Sequence, residues 1–223
     1  MATLLLRLAG PMQAWGSTSR FDERDTQLEP TKSGVLGLIC AALGRDRAQP
    51  VADLAALRMA VRVDREGLLM RDYQTITGEM LTASGKVDRA GAVISPRYYL
   101  SDAVFLVGLE GERALLDTIQ RALMHPHWPL ALGRKSMPPS LPLWLQDGVR
   151  DEPLREALQR YPRIAQSQDA ATHPQPLLRM MIEHASEGAI RLDQPIAPFA
   201  ERRFGPRFVK QEELVDVPDE VIA

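Results

Sequence analysis

The chain contains a single cysteine, Cys40, in 223 residues. That excludes an internal disulfide and a zinc site built on paired cysteines, and it fits a reducing compartment such as the cytoplasm. No apolar run approaches the ~20 residues that span a bilayer, so no membrane association is expected. Ala2 to Leu6 is apolar, but Arg7 interrupts it and no small-residue cleavage site follows, which argues against a signal peptide. The four histidines, His125, His127, His173 and His184, are scattered without metal-ligand spacing, so neither a metal site nor a cofactor is expected. Lysine is scarce, with 4 Lys against 23 Arg. Arginine is the better bidentate phosphate ligand, although a GC-rich genome produces the same bias. Net charge is only −2, which disfavours a general nucleic-acid binder. The charge is uneven, however, at +2 over residues 1–150 and −4 over 151–223, and the stretch Gln211 to Ala223 holds five acids and no base. A local basic patch binds phosphate whatever the total.

Against these absences stands an ordinary globular composition, 45% hydrophobic and 25% charged, in a chain long enough to bury a real core. Thr3 to Ala9 reads as a strand that stops at Gly10-Pro11, and Ser33 to Leu43 as a helix stopped by Gly44. Asp53 to Leu57 is a helical turn, and Met59, Val61 and Val63 alternate with charged residues as in a half-exposed strand. Leu68 to Ile76 and Arg97 to Leu109 are further strands, separated by a polar, glycine-containing insert too long for a turn. Glu112 to Met124 is an amphipathic helix and Leu141 to Leu145 a strand. Ser17 to Glu29 reads as a surface loop and Asp151 to Ala171 as polar, while Leu177 to Ile182 and Ala189 to Leu192 look like a hairpin. The order over residues 3–145 is that of a split βαβ, ferredoxin-like unit. The expected class is α+β: a modified ferredoxin-like (RRM-like) domain over 1–147 and a small Pro-rich, β-rich region over 148–223.

Three segments carry the candidate chemistry. The first is Gly10, Pro11, Met12, Gln13, Ala14, Trp15, Gly16, read as a polar-aromatic loop that presents an exposed Trp15 on which a base could stack, or else as a loop that packs the ring beneath it. The second is Thr31, Lys32, Ser33, Gly34 at the start of the first helix. Its Lys-Ser pair resembles the end of a P-loop, but Asp25 to Thr31 contains no glycine, which argues against nucleoside triphosphate binding. A helix N-terminus beside a lysine remains a general anion site, unless Thr31 or Ser33 is simply its N-cap. The third is Gly133, Arg134, Lys135, Ser136, where backbone could approach a phosphate at the glycine and two cations supply charge, or which is a solvated turn. Arg71-Asp72-Tyr73-Gln74 offers a tyrosine without a neighbouring histidine, so a general acid–base pair is not evident and no catalytic residue is assigned.

Taken together, LRLAGPMQAWG, PTKSGVLGLICAALG, RDYQTITG, RYYLSDAVFLVGL and LGRKSMPPSLPLW resemble, in order and spacing over residues 3–145, the CasD-type subunits of the type I-E CRISPR surveillance complex, Cascade, in the RAMP superfamily. Beyond residue 150 the resemblance is loose and rests on ERRFGPRF at 201–208. The resemblance implies an RRM-like domain with a β-hairpin thumb, here residues 77–97, and a subunit that caps the complex and holds the 5′ handle of the CRISPR RNA. It also implies contacts with the large and backbone subunits, with target DNA nearby in the complex. Carried over motif by motif, the handle pocket would involve Gly10, Pro11, Met12, Gln13 and Trp15, then Thr31, Lys32, Ser33 and Gly34, then Gly133, Arg134, Lys135 and Ser136. A histidine is expected after Tyr73 in this family, and Gln74 stands there. The rival readings are a metal-independent endoribonuclease that processes precursor CRISPR RNA through Tyr73 with Lys32 or Lys135, and a scaffold that touches RNA only incidentally.

Overall fold

The first strand puts buried leucines on both of its faces, and this shapes the architecture. In the computed structural model, which describes residues 1–17, 23–82, 84–88, 92–165, 177–215 and 217–218, β1 (Ala2–Ala9) is an inner strand of its sheet, paired on both sides. Leu4, Leu6 and Leu8 join one core and Leu5 another on the opposite face. The chain continues through β2 (Met12–Gln13), α1 (Lys32–Leu43), α2 (Ala52–Ala55), β3 (Arg58–Arg65), β4 (Leu68–Thr77), β5 (Met80–Leu81), β6 (Val87–Asp88), β7 (Ala92–Ser101), β8 (Val104–Gly111) and α3 (Arg113–Met124). It ends with β9 (Trp144–Arg150), α4 (Leu154–Arg160), β10 (Leu177–His184), β11 (Ala189–Pro195), a 3₁₀ turn at Phe199–Glu201 and β12 (Phe204–Val215). The seven-stranded sheet has the order β11-β12-β10-β3-β8-β1-β9, and every pairing in it is antiparallel.

The first helix is apolar around most of its circumference, as a buried helix is. Where it carries glycine, other segments lay rings against it. A Cβ at Gly34 would sit 2.9 Å from the Trp15 ring, one at Gly44 2.8 Å from the His127 ring, and one at Gly37 touches the Phe199 ring at 4.0 Å. Gly44 also takes the left-handed conformation that ends the helix, at φ 68°. The stripe Leu116, Ile119 and Leu123 of α3 completes the core on the same sheet face.

Four expectations from the sequence are corrected. The alternation in β3 does not mark a half-exposed strand: Arg62 and Asp64 are as buried as Met59, Val61 and Val63. The reason is α4, unrecognised within the polar stretch after Asp151, whose Leu154, Ala157 and Leu158 cover the second face of the sheet. Arg62 donates to Asp64 through both Nε and Nη2, and to the Leu158, Tyr161 and Pro162 carbonyls at the α4 C-terminus. The long strand read at Arg97 to Leu109 is two strands, broken at Asp102, where φ is 58°. The strand placed at Leu141 to Leu145 is β9, shifted to Trp144–Arg150. Finally, β10 and β11 do not pair as a hairpin; β12 lies between them, and β10 pairs with β3, so the C-terminal strands extend the main sheet.

The insert is a hairpin whose arms, β4 and β7, begin well before Thr77, pairing from Leu68↔Ser101 to Thr77↔Ala92. It stands clear of the body, with Leu68, Leu69, Met70, Tyr73, Ile76 and Ile94 exposed. Its base is pinned by β2, where Met12 pairs with Ser101 and Gln13 with Leu100. Parts of the surface loop at 17–29, the insert, the polar stretch and the acidic tail, namely 18–22, 83, 89–91, 166–176, 216 and 219–223, lie outside the described residues. Among the described residues no helix is long and apolar enough to cross a membrane.

Candidate nucleic-acid interface

The three motif segments come together at the base of the hairpin. The Ala14 N–H donates to the Leu132 carbonyl at 3.1 Å, joining the first segment to the third. Gly133 has φ 91°, and a Cβ there would lie 1.7 Å from the Ala14 carbonyl oxygen, so only glycine fits. Gly10 packs as closely on the third segment, where a Cβ would meet Leu132 at 2.8 Å and the Pro138 carbonyl at 3.1 Å. Trp15 lies on Gly34, joining the first segment to the second.

Convergence buries several residues expected to face solvent. Trp15 is 1% exposed, and its indole N–H donates to Gln13 Oε1 at 3.2 Å. Gln13, itself fully buried, donates to the Leu8 and Ala103 carbonyls. The expected exposed stacking platform is therefore corrected: a ring of this size beside a glycine helix start does more as core than in water. Thr31 is a plain N-cap, its hydroxyl accepting from the Gly34 N–H at 3.3 Å. Lys32 is 1% exposed and its ammonium donates to both oxygens of Glu183, at 3.2 and 3.1 Å. Its backbone N–H donates to Asp193 Oδ2 at 2.8 Å, and Asp193 in turn receives a two-pronged bond from Arg207.

The anion site expected at this helix N-terminus is thus filled by the protein's own carboxylates. Burial pulls the Lys32 pKa below its usual value despite Glu183, as for an ammonium whose desolvation outweighs its partner. The crevice beside it, lined by Glu29, Thr31, Asp193 and Arg207, has about 20 Å³ of free volume. That holds one water and not a phosphodiester.

What faces outward is different. Pro11, Gly16, Gly133, Lys135 and Ser136 are exposed, and Gly10, Met12, Ser33 and Gly34 are half-buried. Arg134 is also half-buried and does not offer its guanidinium freely, because Nη2 donates to the carbonyls of Arg24, Asp25 and Tyr98. Burial and the nearby charges of Arg97 and Arg24 lower its pKa, so three guanidiniums share this corner. Arg24 and Arg97 lie side by side through an isolated bridge, and the Arg97 Nε is buried with no hydrogen-bond partner among the described residues. Sequence reasoning assigned neither Arg24 nor Arg97. The first sits in a charge-alternating loop and the second in what reads as an ordinary strand, and only the fold brings them beside Arg134.

Tyr73 stands exposed on the hairpin arm with the Arg71 guanidinium 5.7 Å from its ring centre, and Gln74 donates to Asp72. His125 and His127 lie exposed beyond α3, and His184 Nδ1 accepts from the Ser186 and Glu187 N–H groups. Among the described residues no group of three or more His, Cys, Asp or Glu is placed to hold a metal.

Comparison with known proteins gives a consistent result. A family model described as CRISPR-associated protein (Cas_Cas5) matches residues 3–210. The CRISPR system Cascade subunit CasD of Escherichia coli (strain K12) is 34% identical over 174 residues, covering 71% of this chain and 77% of that protein. A chain in a structure described as a CRISPR RNA-guided surveillance complex superposes with a TM-score of 0.78 at 35% identity, over 98% of this chain and 93% of that one. A crystal structure of a Cas protein superposes with a TM-score of 0.79 at 52% identity, over 98% of each chain.

Proposed function

Because this chain belongs to the Cas5 family of CRISPR-associated proteins, we propose that it is the CasD-type subunit of a Cascade surveillance complex, bound to CRISPR RNA and to the neighbouring protein subunits. The observation that carries this reading is the near-complete superposition on a chain of an RNA-guided surveillance complex at 35% identity. In the finer reading the β3-β8-β1-β9 core with α1 and α3 is a ferredoxin-like unit, and the hairpin 68–101 is its thumb. The subunit caps the 5′ handle of the guide and works in the cytoplasm. Its exposed apolar hairpin is suited to meet the backbone subunit, with the large subunit alongside and target DNA nearby.

The handle-facing surface is the corner where the motif loops meet. Lys135, Arg24 and Arg97 supply charge, while Pro11, Met12, Gly133 and Ser136 supply close-approaching backbone and small side chains. Behind it, Gln13, Trp15, Thr31, Lys32 and Arg134 hold the loops in register, and Gly10, Ser33 and Gly34 allow the close packing. The subunit is non-catalytic in this reading, which rests on Tyr73 lacking an adjacent histidine and on Gln74 being tied to Asp72.

The test uses the complex assembled with guide RNA. Arg97→Ala with Lys135→Ala should weaken retention of a native-handle guide by about tenfold and reduce the log–log salt slope by about 1.4, two phosphate contacts at ~0.7 each. Equal retention of native and scrambled handles by wild type and variant would contradict it. Arg134→Ala is a poor probe, since it also unties three carbonyls.

A further inference from the structure

The hairpin leaves the body through two irregular feet. On one side the register between β3 and β8 shifts between Val63 and Arg65, and Gly67 follows, where a Cβ would meet Ala103 at 2.8 Å and Leu100 at 3.0 Å. On the other side Asp102 takes the left-handed conformation at φ 58°, which aspartate tolerates. The β3–β8 pairing ends at Arg65↔Val104 and the β4–β7 pairing begins at Leu68↔Ser101, so the ladder is interrupted between body and hairpin. The direction of the hairpin is therefore set by what ties its strands down.

β7 is tied by backbone. It pairs with β2, and the loop that carries Arg24 runs beside it, the Arg24 N–H donating to the Pro96 carbonyl at 2.9 Å and the Tyr98 N–H to the Arg24 carbonyl at 2.8 Å. β4 has no strand beyond it among the described residues, and side chains hold its foot. Arg65 Nε donates to the Asp102 carbonyl at 2.7 Å, and Glu66 accepts a fork from Arg179 of β10, Nε at 2.9 Å and Nη2 at 3.0 Å. The third nitrogen of that guanidinium, Nη1, donates to Glu29, which is buried at the end of the loop that carries Arg24. Two features distinguish this tie from a casual surface pair. The Arg179 side chain is 21% exposed and its fork on Glu66 is bidentate, the geometry in which an ion pair holds a direction. Glu29 also has a second cation, since Arg191 Nη2 donates to it at 3.2 Å, so Arg179 is not needed to neutralise it and reaches on to Glu66.

We propose that Arg179 is a positioning residue for guide binding: through Glu66 and Glu29 it seats the hairpin and the loop on the main sheet and so sets Arg97 and Arg24 against Lys135. Arg134 already ties the loop and β7 to the third segment, through the Arg24 and Tyr98 carbonyls. One attachment leaves the hairpin free to swing, and the second, at the foot of β4, fixes its angle. The inference rests on the handle reading given above and adds the residue that sets its geometry. Lysine does not substitute, because one ammonium on a flexible stem cannot hold a fork on Glu66 while reaching Glu29.

The test reads the angle directly. Nitroxide labels on Thr75→Cys in the hairpin arm and Gln146→Cys on β9, both exposed positions, report one distance across the full chain by pulsed electron resonance. Cys40 is buried, with its thiol pushed up to about 11 by burial, and does not compete for label. The otherwise wild-type chain should give one narrow distance distribution. Arg179→Met and Arg179→Lys should widen it. Glu66→Ala should widen it too while leaving the melting temperature unchanged, because Glu66 is exposed and Arg179 keeps Glu29. In the complex assembled with guide RNA, Arg179→Met and Glu66→Ala should each weaken retention of a native-handle guide by about fivefold. A distribution already broad in the wild-type background, or one unchanged by both Arg179→Met and Glu66→Ala, would overturn the proposal. So would widened distances with guide retention equal to wild type, because partner subunits would then set the angle. The distances are read without guide, so the two failures are distinct: equal retention of native and scrambled handles by wild type would remove the handle reading, and the role of Arg179 with it, whatever the distances show.

Discussion

Single residues at the loop junction carry more than their type suggests. Gly133→Ala should cost more than about 2 kcal/mol, because it adds a left-handed strain of ~1–2 kcal/mol to a collision with the Ala14 carbonyl, and urea unfolding would measure it. Lys32→Ala should cost about 3–5 kcal/mol by leaving the Glu183 carboxylate without its buried cation, while the backbone bond from residue 32 to Asp193 persists. Tyr161 offers a pH test. Burial, then the negative charge of Asp147 that accepts its hydroxyl at 3.1 Å, pushes its pKa up from 10.0 to about 12. The folded state therefore holds this proton more tightly than the unfolded one. Its contribution is complete below pH 10 and is lost as pH rises toward 12. Tyr161→Phe should accordingly cost less stability at pH 11.5 than at pH 8, and a constant difference across that range would contradict the assignment. At this scale the sequence exposes residue type but not direction. Trp15 and Lys32 look like surface chemistry because aromatic and cation beside glycines suit a ligand loop, yet the same glycines let the ring and the helix start pack inward.

Among elements, β1, α1 and α3 were legible because a long apolar period sets each and a glycine or proline stops it, whereas β3 was placed without its second covered face and β8 was run together with β7. The shorter α4 was not, for its seven residues lack a side-chain cap and sit between charged flanks. Its consequence is large, since it turns a sheet with one covered face into a sheet with two and makes room for the buried Arg62. Arg62→Met should destabilise by about 3–5 kcal/mol, because Asp64 and the carbonyls of Leu158, Tyr161 and Pro162 lose their donor together. The hairpin is the opposite case. Its outer arms bury little, so replacing residues 74–95 with a two-residue turn should leave the melting temperature of the body within a few degrees while impairing assembly with partner subunits, as thermal melts and co-purification would show.

For the molecule as a whole, the C-terminal strands bind the candidate site to the sheet. Arg179 and Arg191 both pair with Glu29 at the end of the first loop, Glu183 and Asp193 hold Lys32, and β10 joins β3. Nothing in the composition after residue 150 announces this role, because it depends on long-range ion pairs that leave no local pattern. The corner proposed to hold the handle therefore depends on residues beyond 150, and a truncation at residue 147 should lose guide binding along with solubility. In the proposed reading this chain holds a guide's 5′ handle without cutting RNA. One measurement tests it directly: 5′-labelled repeat RNA, with a native or a scrambled handle, is incubated in EDTA with the subunit in its assembled complex, and both bound fraction and product bands are read. Handle-dependent binding with no new band is the result expected. A discrete new band abolished by Tyr73→Phe, or equal binding of both handles, would contradict it.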